Sequence, residues 1–431
     1  MRLPKRSGGF RRLPWLCLLL TGGVLMLPVA PSLAGAPPFW PAIRASWGAV
    51  TTIAPGIVYS RYTVITSAGP LCIHHLRLDL GNPSVRLSTA LSYDQLIGDN
   101  EPVSSMARRY GAVAGMNADY FDIRDSGMPL NIMVKDGELI RSPSRRVALA
   151  IGKSGVVRIV RYRWNGALVL PETRQSYWIA GLNTGIVPDG LTVVSNVRGY
   201  GAPAPEPRVR QTVVELARVS APLGASLGAL QGIAPTPSGE AGGRYTVKRV
   251  WRQQAYYAPF PGDEILVVGR GSAADWLLHH VNPGMVIDLN VDTDPNWQTN
   301  AAVVGGGPLL VQNGRLVRDD PYNPAPRERN QPSPVAAVGV SRDGRTMMQV
   351  AVDGRQRLSV GLTQPQLAGY MLWLGAYQAM AFDSGGSVTM AVRFPGRPVP
   401  VVVNSPSDGR ERPVANALLV FSASRPAGKT R

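Results

Sequence analysis

The sequence predicts an α+β fold with one main domain, in which a largely antiparallel sheet carries hairpins and a few short helices. Hydrophobic residues make up 45% of the 431 residues, which is enough for a globular core. Hairpins are indicated by turn dipeptides between short apolar runs, at Asp136-Gly137, Asn313-Gly314 and Asp343-Gly344. No segment with a 3.6-residue period is long enough for a helix bundle, and the sequence holds no Rossmann or Walker motif.

Residues 1–36 have the features of an export signal. Their first part carries basic residues and no acidic one, and the apolar run Leu13–Val29 follows. The small residues at Ala34-Gly35-Ala36 form a cleavage-site pattern. Because the apolar run is short for a membrane span, a cleaved signal peptide is favoured over a retained N-terminal anchor. We therefore expect an exported protein of the periplasm, the cell envelope or the extracellular space.

The chain is strongly basic, with a formal net charge of +17 at pH 7. Nearly all of this charge is arginine, which favours planar anionic partners such as phosphate and carboxylate groups. For an exported protein the natural anionic partners are envelope polymers and phospholipid head groups. Nucleic acid is not an expected partner, because no basic-aromatic module occurs. The alternative is that the arginines are spread over the surface and have no specific partner.

Residues 37–110 are expected to form N-terminal strands that pack on the main domain at 111–425. Strand character runs through Gly56–Ile65, and apolar residues alternate over Leu76–Ala90. A short helix is predicted over Glu101–Arg109.

The main domain repeats one arrangement, which consists of a helix, a Gly-Ala pair, a buried strand and a polar residue. The strand over Val113–Met116 is followed by Asn117. Much later, a helix over Thr363–Leu374, with Thr363 as its N-cap, precedes a strand that ends on Asp383.

Residues 155–300 are predicted to be an elaboration within the same domain. Their composition indicates a loop at Ile233–Gly243 and a helix at Ser272–His280, with Ser272 as the N-cap. The polar, proline-rich segment Arg318–Pro334 is either a disordered connection or a movable flap over a site.

One cysteine, Cys72, lies outside the predicted signal, so neither a disulfide framework nor a cysteine-based zinc site is expected. Its strand-like neighbours indicate a buried thiol. His74 and His75 point to opposite faces of a strand, and His279-His280 close a helix, so neither pair chelates a metal by itself. Both pairs are predicted to be structural or solvent-facing, and no cofactor is expected.

The stretch from 377 to 389 is the strongest candidate for a site. An apolar strand, Tyr377–Phe382, delivers the carboxylate of Asp383 to a tight glycine turn, where positive φ angles let another group approach the backbone. Free amides, hydroxyls and a carboxylate suit a phosphate or a sugar, whereas the alternative is an ordinary hairpin turn. The predicted ligands in this turn are Ser384, Gly385, Gly386 and Ser387.

Three other stretches have the same character. Asn117 and Asp119 would share one face of a strand with Phe121, which suits sugar recognition, although turn formation is the alternative role. The glycines from Gly305 through Gly306 to Gly307 can curl their N–H groups into an anion-binding nest or act as a flexible joint. Arg412 either binds a phosphate or stabilises the last turn of the chain through hydrogen bonds.

The order of these motifs resembles the phosphodiester glycosidase family. The resemblance spans residues 112–421 and is carried by NADYF, GMPLNIMVKDG, GGGPLLVQNG, AAVGVSRDG, AVDGR, FDSGGSVT and NSPSDGRERPVANALLVF. It implies cleavage between an anomeric carbon and a phosphodiester phosphate. By position, Asp383 matches the aspartate of the family's Asp-Gly-Gly-Gly-Ser turn, Asn117 and Phe121 match its Asn-Gly-x-Phe-Phe stretch, and Gly305–Gly307 match its glycine run.

The chain departs from the family at three positions. Val335 stands where the family has an arginine, Ser384 replaces a glycine, and Asn131 stands where many members have glycine. The missing arginine is a natural phosphate ligand. The candidates to replace its charge are Arg327, Arg329, Arg342 and Arg412.

We therefore expect an exported glycosidase acting on a glycosyl phosphodiester or an envelope glycan. Asp383 is the predicted base or nucleophile, and Asp119 is the second catalytic carboxylate or a ligand. One alternative is a non-catalytic module that binds an envelope glycopolymer. Another is a metal-dependent phosphodiesterase, in which Asp383 and Asp119 hold one divalent cation through oxygen atoms.

Overall fold

The computed structural model describes residues 42–195, 211–219, 242–252, 264–321 and 324–422. In chain order these ranges begin with β1 (Ala42–Trp47), β2 (Thr51–Ala54), β3 (Ile57–Thr66), β4 (Gly69–Asp79), β5 (Val85–Leu91), β6 (Ala114–Asn117), β7 (Met133–Lys135), β8 (Glu138–Arg141), β9 (Val147–Gly152), β10 (Val157–Arg161), β11 (Arg163–Val169), β12 (Ser176–Leu182) and β13 (Leu191–Ser195). They continue with β14 (Gln211–Arg218), β15 (Gly243–Arg252), β16 (Glu264–Arg270), β17 (Val286–Asp294), β18 (Asn300–Gly305), β19 (Leu309–Gln312), β20 (Arg315–Leu316), β21 (Val335–Val340), β22 (Thr346–Val352), β23 (Gln378–Ala381), β24 (Met390–Val392), β25 (Val401–Val402) and β26 (Asn416–Ser422). The helices are α1 (Val103–Arg109), α2 (Ser272–His280), α3 (Pro326–Arg329) and α4 (Gln364–Trp373).

The predicted α+β class is wrong, because the described part of the chain is mainly β. It contains twenty-six strands and four helices, and the longest of these helices, α4, has ten residues. The sequence predicts only an elaboration within the same domain for the segment 155–300, whereas seven strands from β11 to β17 form a closed barrel there. Pairing between strands far apart in the chain leaves little local signal in the sequence.

The remaining strands form three open sheets. One sheet of nine strands runs β1-β3-β4-β22-β21-β23-β19-β20, with β2 added on β3. A second runs β10-β9-β18-β7-β8, and a third runs β25-β24-β6-β26-β5. All strand pairs in these three sheets are antiparallel, as expected from the sequence, whereas β12 and β13 in the barrel are parallel.

The three predicted hairpins are confirmed. Asp136-Gly137 joins β7 to β8, Asn313-Gly314 joins β19 to β20, and Asp343-Gly344 joins β21 to β22. In the first two turns both residues have positive φ, between 53° and 82°. This is the backbone that a two-residue type I′ turn requires, and the reason that Asn or Asp precedes Gly there.

Two predicted helix starts have different outcomes. Thr363 caps α4 as expected, since its hydroxyl accepts the N–H of Gln366 in a capping box. The predicted N-cap of α2, Ser272, is one residue too late. Gly271 is the N-cap, and Ser272 is the first helical residue. The helix predicted over Glu101–Arg109 is α1, which begins two residues later.

Three strand ends from the three open sheets meet at one place. The N–H of Gly307, after β18, donates to the carbonyl of Ala381 at the end of β23, at 2.8 Å. The N–H of Asp383 donates to the carbonyl of Ala118, just after β6, also at 2.8 Å. These bonds bring together the predicted site stretches around residues 117, 305 and 383.

Two predicted segments lie outside the described residues, namely the export signal at 1–36 and most of the loop at 233–243. Within the described ranges, no helix combines the length and apolar character needed to cross a membrane.

Candidate functional site

Asp383 lies at the start of a glycine turn, as the sequence predicts. Strand β23 carries the chain to it, and the N–H of Ser384 donates to its Oδ1 at 2.8 Å. Gly385 has a φ of +67°, a conformation that L side chains rarely adopt. The turn therefore holds the carboxylate in one orientation while leaving Asp383 half-buried rather than enclosed.

The electrostatic surroundings of Asp383 pull its pKa in two directions. Burial raises the pKa to about 6, against the effect of hydrogen bonds from Ser387 and the Ser384 N–H and of the positive charges of Arg412 and Arg146. At neutral pH the group is therefore mainly a carboxylate. A carboxylate whose pKa lies near the working pH is suited to accepting a proton or attacking a carbon.

Asp119 occupies a buried position next to Gly305. The residue is 1% exposed, and its Oδ2 accepts the N–H of Asn131 at 2.7 Å. Its Oδ1 is buried and has no hydrogen-bond partner among the described residues. Burial is the main reason that its pKa rises to about 7, and the charge of Asp383 raises it further. The predicted second carboxylate thus interacts electrostatically with Asp383 from a position that solvent does not reach.

Arg146 is a site residue that the sequence analysis missed. Its guanidinium lies over the ring of Tyr120, 5.1 Å from the ring centroid. Its positive charge lowers the pKa of both Asp119 and Asp383. Asn131, at the position where many family members have glycine, holds the neighbouring backbone by accepting the N–H of Ser144 and donating to the carbonyl of Val147.

Two further arginines border the glycine turn. Arg412 pairs with Asp408, with its Nη2 2.7 Å from Oδ2, and its Nη1 donates to the Oγ of Ser387 at 3.4 Å. A Cβ atom on Gly386 would lie 2.1 Å from Nη2 of Arg412, so only glycine lets this guanidinium lie so close to the turn. Arg355 lies beside Gly385, with Nη1 3.3 Å from where a Cβ would stand.

Asn117 serves the backbone rather than a ligand. Its Nδ2 donates to the carbonyl of Asp383 at 2.8 Å, and its Oδ1 accepts the N–H of Thr389 at 3.1 Å. Since both ends of the amide are occupied and the side chain is buried, Asn117 fixes the turn at 383–389 onto the end of β6.

Tyr120, rather than the predicted Phe121, lines the cavity together with Ser384. Phe121 belongs to the hydrophobic core cluster that includes Val103 and Met106 of α1. Strand β6 ends at Asn117, so the alternation of a strand does not continue to residue 121.

The glycine run does not form the predicted anion nest. The N–H of Gly306 donates to the carbonyl of Val147 at 3.2 Å, and the N–H of Gly307 donates to Ala381. A Cβ on Gly305 would lie 2.5 Å from Oδ2 of Asp119. The glycine run therefore allows Asp119 and β23 to pack closely. The N–H groups of residues 306 and 307 donate to backbone carbonyls, so they do not point to a ligand.

A small cavity lies beside the glycine turn. Its volume is about 50 Å³, and its lining includes Tyr120, Val335 and Ser384 together with Glu328 and Arg329 from α3 in the predicted connection or flap. Ligand sites usually have volumes of about 300 Å³ or more, so this cavity is small for a sugar.

The candidates to replace the missing arginine differ in position. Arg329 and Arg412 lie at the site, whereas Arg342 lies over the ring of Tyr377 at the opposite end of β23. Arg327 is exposed on α3. Together with Arg146 and Arg355, these positions show that the site is rich in cations although Val335 itself is apolar.

One group of three possible metal ligands occurs in the described residues, and it does not include Asp119 or Asp383. It consists of Cys72, His74 and Asp353, whose ligating atoms lie within 4.8 Å of one another. The sequence predicts only that neither histidine pair chelates a metal by itself, and the structure adds Asp353, 279 residues from His74, as a possible further ligand.

Comparisons with known proteins agree with the motif order. Residues 243–421 match the family model described as phosphodiester glycosidase, so the matched part includes Asp383 but not Asp119. The resemblance found in the sequence is confirmed over this part of the chain. Comparison with curated proteins gives no match.

Three solved structures are similar to this chain. A hypothetical protein from Synechocystis has a TM-score of 0.70 and 20% identity over 86% of this chain, which spans 63% of that protein's length. A protein from Burkholderia pseudomallei K96243, provisionally named an exported protein, has a TM-score of 0.69 and 19% identity over 90% of this chain and 98% of its own. These two show the fold. The zebrafish N-acetylglucosamine-1-phosphodiester alpha-N-acetylglucosaminidase catalytic domain, auto-inhibited by its pro-peptide, has a TM-score of 0.43 and 14% identity over 88% of this chain and 89% of its own.

Proposed function

We propose that the protein is an exported glycosidase that hydrolyses the bond between a sugar's anomeric carbon and a phosphodiester, and the match of residues 243–421 to the phosphodiester glycosidase family model supports this proposal. The observation that carries the proposal is the half-buried carboxylate of Asp383, on a glycine turn bordered by Arg146, Arg355 and Arg412. This arrangement combines a group that acts on carbon with cations that hold a phosphate.

Asp383 carries the first part of the proposed mechanism. Cleavage at an anomeric carbon passes through an oxocarbenium-like state, which a carboxylate supports by activating water or by attacking the carbon. The ionised form does this work, and the pKa of about 6 keeps it populated at neutral pH. Asn117 acts as a positioning residue, because it anchors the carbonyl of Asp383.

The arginines carry the second part. A phosphodiester leaves as an anion that needs little protonation, so the site has to stabilise negative charge more than it has to donate a proton. Guanidinium groups do this by charge-assisted hydrogen bonds. We assign this role to Arg146 and Arg412, whose charges already lower the pKa of Asp383. They would take the place of the family arginine, whose position is occupied by Val335 in this chain.

The α3 segment is proposed to move when substrate binds. The cavity lined by Ser384 and Arg329 has a volume of about 50 Å³, which is far smaller than a typical ligand site. Opening of this segment would admit the sugar, and Arg329 would then lie at the edge of the opened site.

The proposal is tested by release of free sugar from a panel of α- and β-glycosyl-1-phosphate esters. The wild-type protein is expected to release sugar, and Asp383→Asn is expected to lower kcat by at least about 100-fold. Asp343→Asn, which changes an exposed aspartate in the β21–β22 turn, is the matched control and should keep full activity. Full activity of Asp383→Asn on a substrate that the wild type cleaves would refute the assignment.

A second candidate is a non-catalytic module that binds an anionic envelope glycopolymer. Val335 favours it, because the family arginine is absent where the residue lines the cavity. The formal net charge of +17 is compatible with an anionic polymer as partner. This candidate predicts that the wild-type protein binds such a polymer but releases no sugar from any member of the panel.

A further inference from the structure

We propose that Cys72, His74 and Asp353 form a binding site for a zinc-like divalent metal ion, separate from the carboxylate of Asp383. Their ligating atoms converge, with His74 Nε2 3.4 Å from Cys72 Sγ and 3.4 Å from Asp353 Oδ2. All three residues are at most 5% exposed. The site rests on these contacts and does not depend on the proposed glycosidase activity.

The fold brings the three side chains together in a simple way. Cys72 and His74 are two residues apart on β4, so both point to the same face of the sheet. Asp353 directly follows β22, the strand paired with β4, and its N–H donates to the carbonyl of Cys72 at 3.0 Å. The aspartate is thus placed directly across from the cysteine.

The two distances from His74 Nε2 are compatible with a bound metal ion. Zinc lies about 2.3 Å from sulfur and about 2.0–2.2 Å from nitrogen or oxygen, so two of its tetrahedral ligands are roughly 3.3–3.6 Å apart. Both separations from His74 Nε2 fall in this range. The contact with Asp353 is longer than an ordinary N–H···O hydrogen bond of 2.7–3.2 Å.

The chemistry of the imidazole points the same way. Nδ1 of His74 is already hydrogen-bonded to the hydroxyl of Tyr59 at 2.8 Å. Nε2 faces both Cys72 and Asp353, and in the tautomer that donates Nδ1–H to Tyr59 it presents a lone pair toward both side chains. A metal ion bound by the lone pair of Nε2 would satisfy the sulfur and the oxygen together.

Each of the three side chains is held by a second group, as is usual at metal sites. Tyr59 orients the ring of His74, and the Nε of Arg61 donates to Sγ of Cys72 at 3.0 Å. Oδ1 of Asp353 accepts the N–H of Ser405 at 2.7 Å, which leaves Oδ2 for the metal. A sulfur, a nitrogen and an oxygen donor form a set that suits zinc, with a fourth position for water.

The experiment uses the full-length chain in a Cys17→Ser background, so that Cys72 is the one remaining thiol. The protein is treated with a chelator, dialysed and titrated with Co²⁺, and a parallel sample is loaded with Zn²⁺ and analysed for metal by mass spectrometry. We expect one ion per chain, a thiolate-to-cobalt charge-transfer band, and loss of that band when Zn²⁺ is added. Thermal unfolding of the same samples should shift upward with Zn²⁺.

Variants assign the ligands. Cys72→Ser should remove the charge-transfer band, Asp353→Asn should weaken Co²⁺ binding by at least about 10-fold, and Tyr59→Phe should weaken it by about 10-fold. His279→Asn changes an exposed histidine on α2 and should bind as the wild type does. A folded wild-type protein that takes up no Co²⁺ or Zn²⁺ would overturn the proposal without any variant, and so would a band that persists in Cys72→Ser.

Discussion

Asp383 and Asp119 have raised pKa values for the same main reason, burial, but their access to a substrate differs. Asp383 is half-buried at a turn, whereas Asp119 is sealed under Gly305 with one oxygen unpaired among the described residues. Two interacting carboxyl groups with different surroundings separate their roles. We assign the reaction at the anomeric carbon to Asp383. We expect the buried Asp119 to influence the pKa of Asp383 through the electrostatic interaction between the two carboxyl groups.

Removing the charge of Arg146 should change both the rate and its pH dependence. Activity that needs ionised Asp383 rises with pH through about 6 and is then level. Because Arg146 lowers this pKa, Arg146→Ala should move the rise to higher pH and lower kcat/KM by about 10- to 100-fold. Arg145→Ala is the neighbouring control and should leave the pH profile of kcat/KM unchanged. An unshifted profile in Arg146→Ala would contradict the assigned role.

Replacing Asp119 should change how stability depends on pH. Its folded pKa of about 7 exceeds the unfolded value of about 3.9, so the folded state binds more protons between these values. The stability that this group provides is fully present below pH 4 and is lost as the pH rises through 7. Asp119→Asn should therefore gain stability relative to wild type as the pH rises from 4 to 8, on the order of 4 kcal/mol for a difference of about three pKa units.

Denaturant unfolding at several pH values measures this difference, with Asp343→Asn as the control. Asp343 is exposed and its neighbours lower its pKa, so its replacement should not gain stability with pH. A constant difference between Asp119→Asn and wild type across this range would show that Asp119 titrates normally.

At the residue scale, the sequence identified Asp383 because a glycine turn after an apolar strand is a local pattern. No sequence pattern indicates Arg146, because Arg145-Arg146 matches no motif. Arg146 reaches the site only because β9, the strand that follows it, pairs with β18. A local signal does exist for one missed feature, because Cys72 and His74 have the spacing of two residues that share a strand face. Their third partner, Asp353, could not be found from spacing.

At the element scale, the end of β18 supports the site through Gly305. A methyl group there would lie 2.5 Å from Oδ2 of Asp119 and 2.5 Å from Cβ of Asn131, closer than real Cβ atoms come. We expect Gly305→Ala to lower the free energy of unfolding by about 1–3 kcal/mol and to reduce activity. Gly185→Ala is the matched control, because Gly185 has open space around it and no positive φ. Equal stability of the two variants would contradict the packing role.

Elements with local determinants were predictable, and elements with distant partners were not. The turns at 136, 313 and 343 and the cap at Thr363 depend on a few adjacent residues, and all four are confirmed. The barrel from β11 to β17 closes by pairing β11 with β17, more than a hundred residues apart. Such closure is a property of the assembled sheet, so the fold class was misjudged even where individual strands were recognised.

At the scale of the whole molecule, three open sheets converge on one turn, and the barrel shares a hydrophobic core with residues of β7, β9 and β18 from the second open sheet. Strand β6 contributes Asn117, β18 contributes Gly305, and β23 contributes Asp383, so no single sheet builds the site. The chain spans 63% of the Synechocystis protein but 98% of the Burkholderia protein, and the shared fold extends over most of this chain.

The central claim is that the bond between the anomeric carbon and oxygen breaks, and hydrolysis in ¹⁸O-labelled water tests it most directly. The wild-type protein is given a glycosyl-1-phosphate ester in labelled water, and both products are analysed by mass spectrometry. The account predicts the label on the anomeric carbon of the released sugar, with none in the phosphate ester and no label transfer in Asp383→Asn. Label in the phosphate product would show cleavage of a phosphorus–oxygen bond, and the protein would then be a phosphodiesterase.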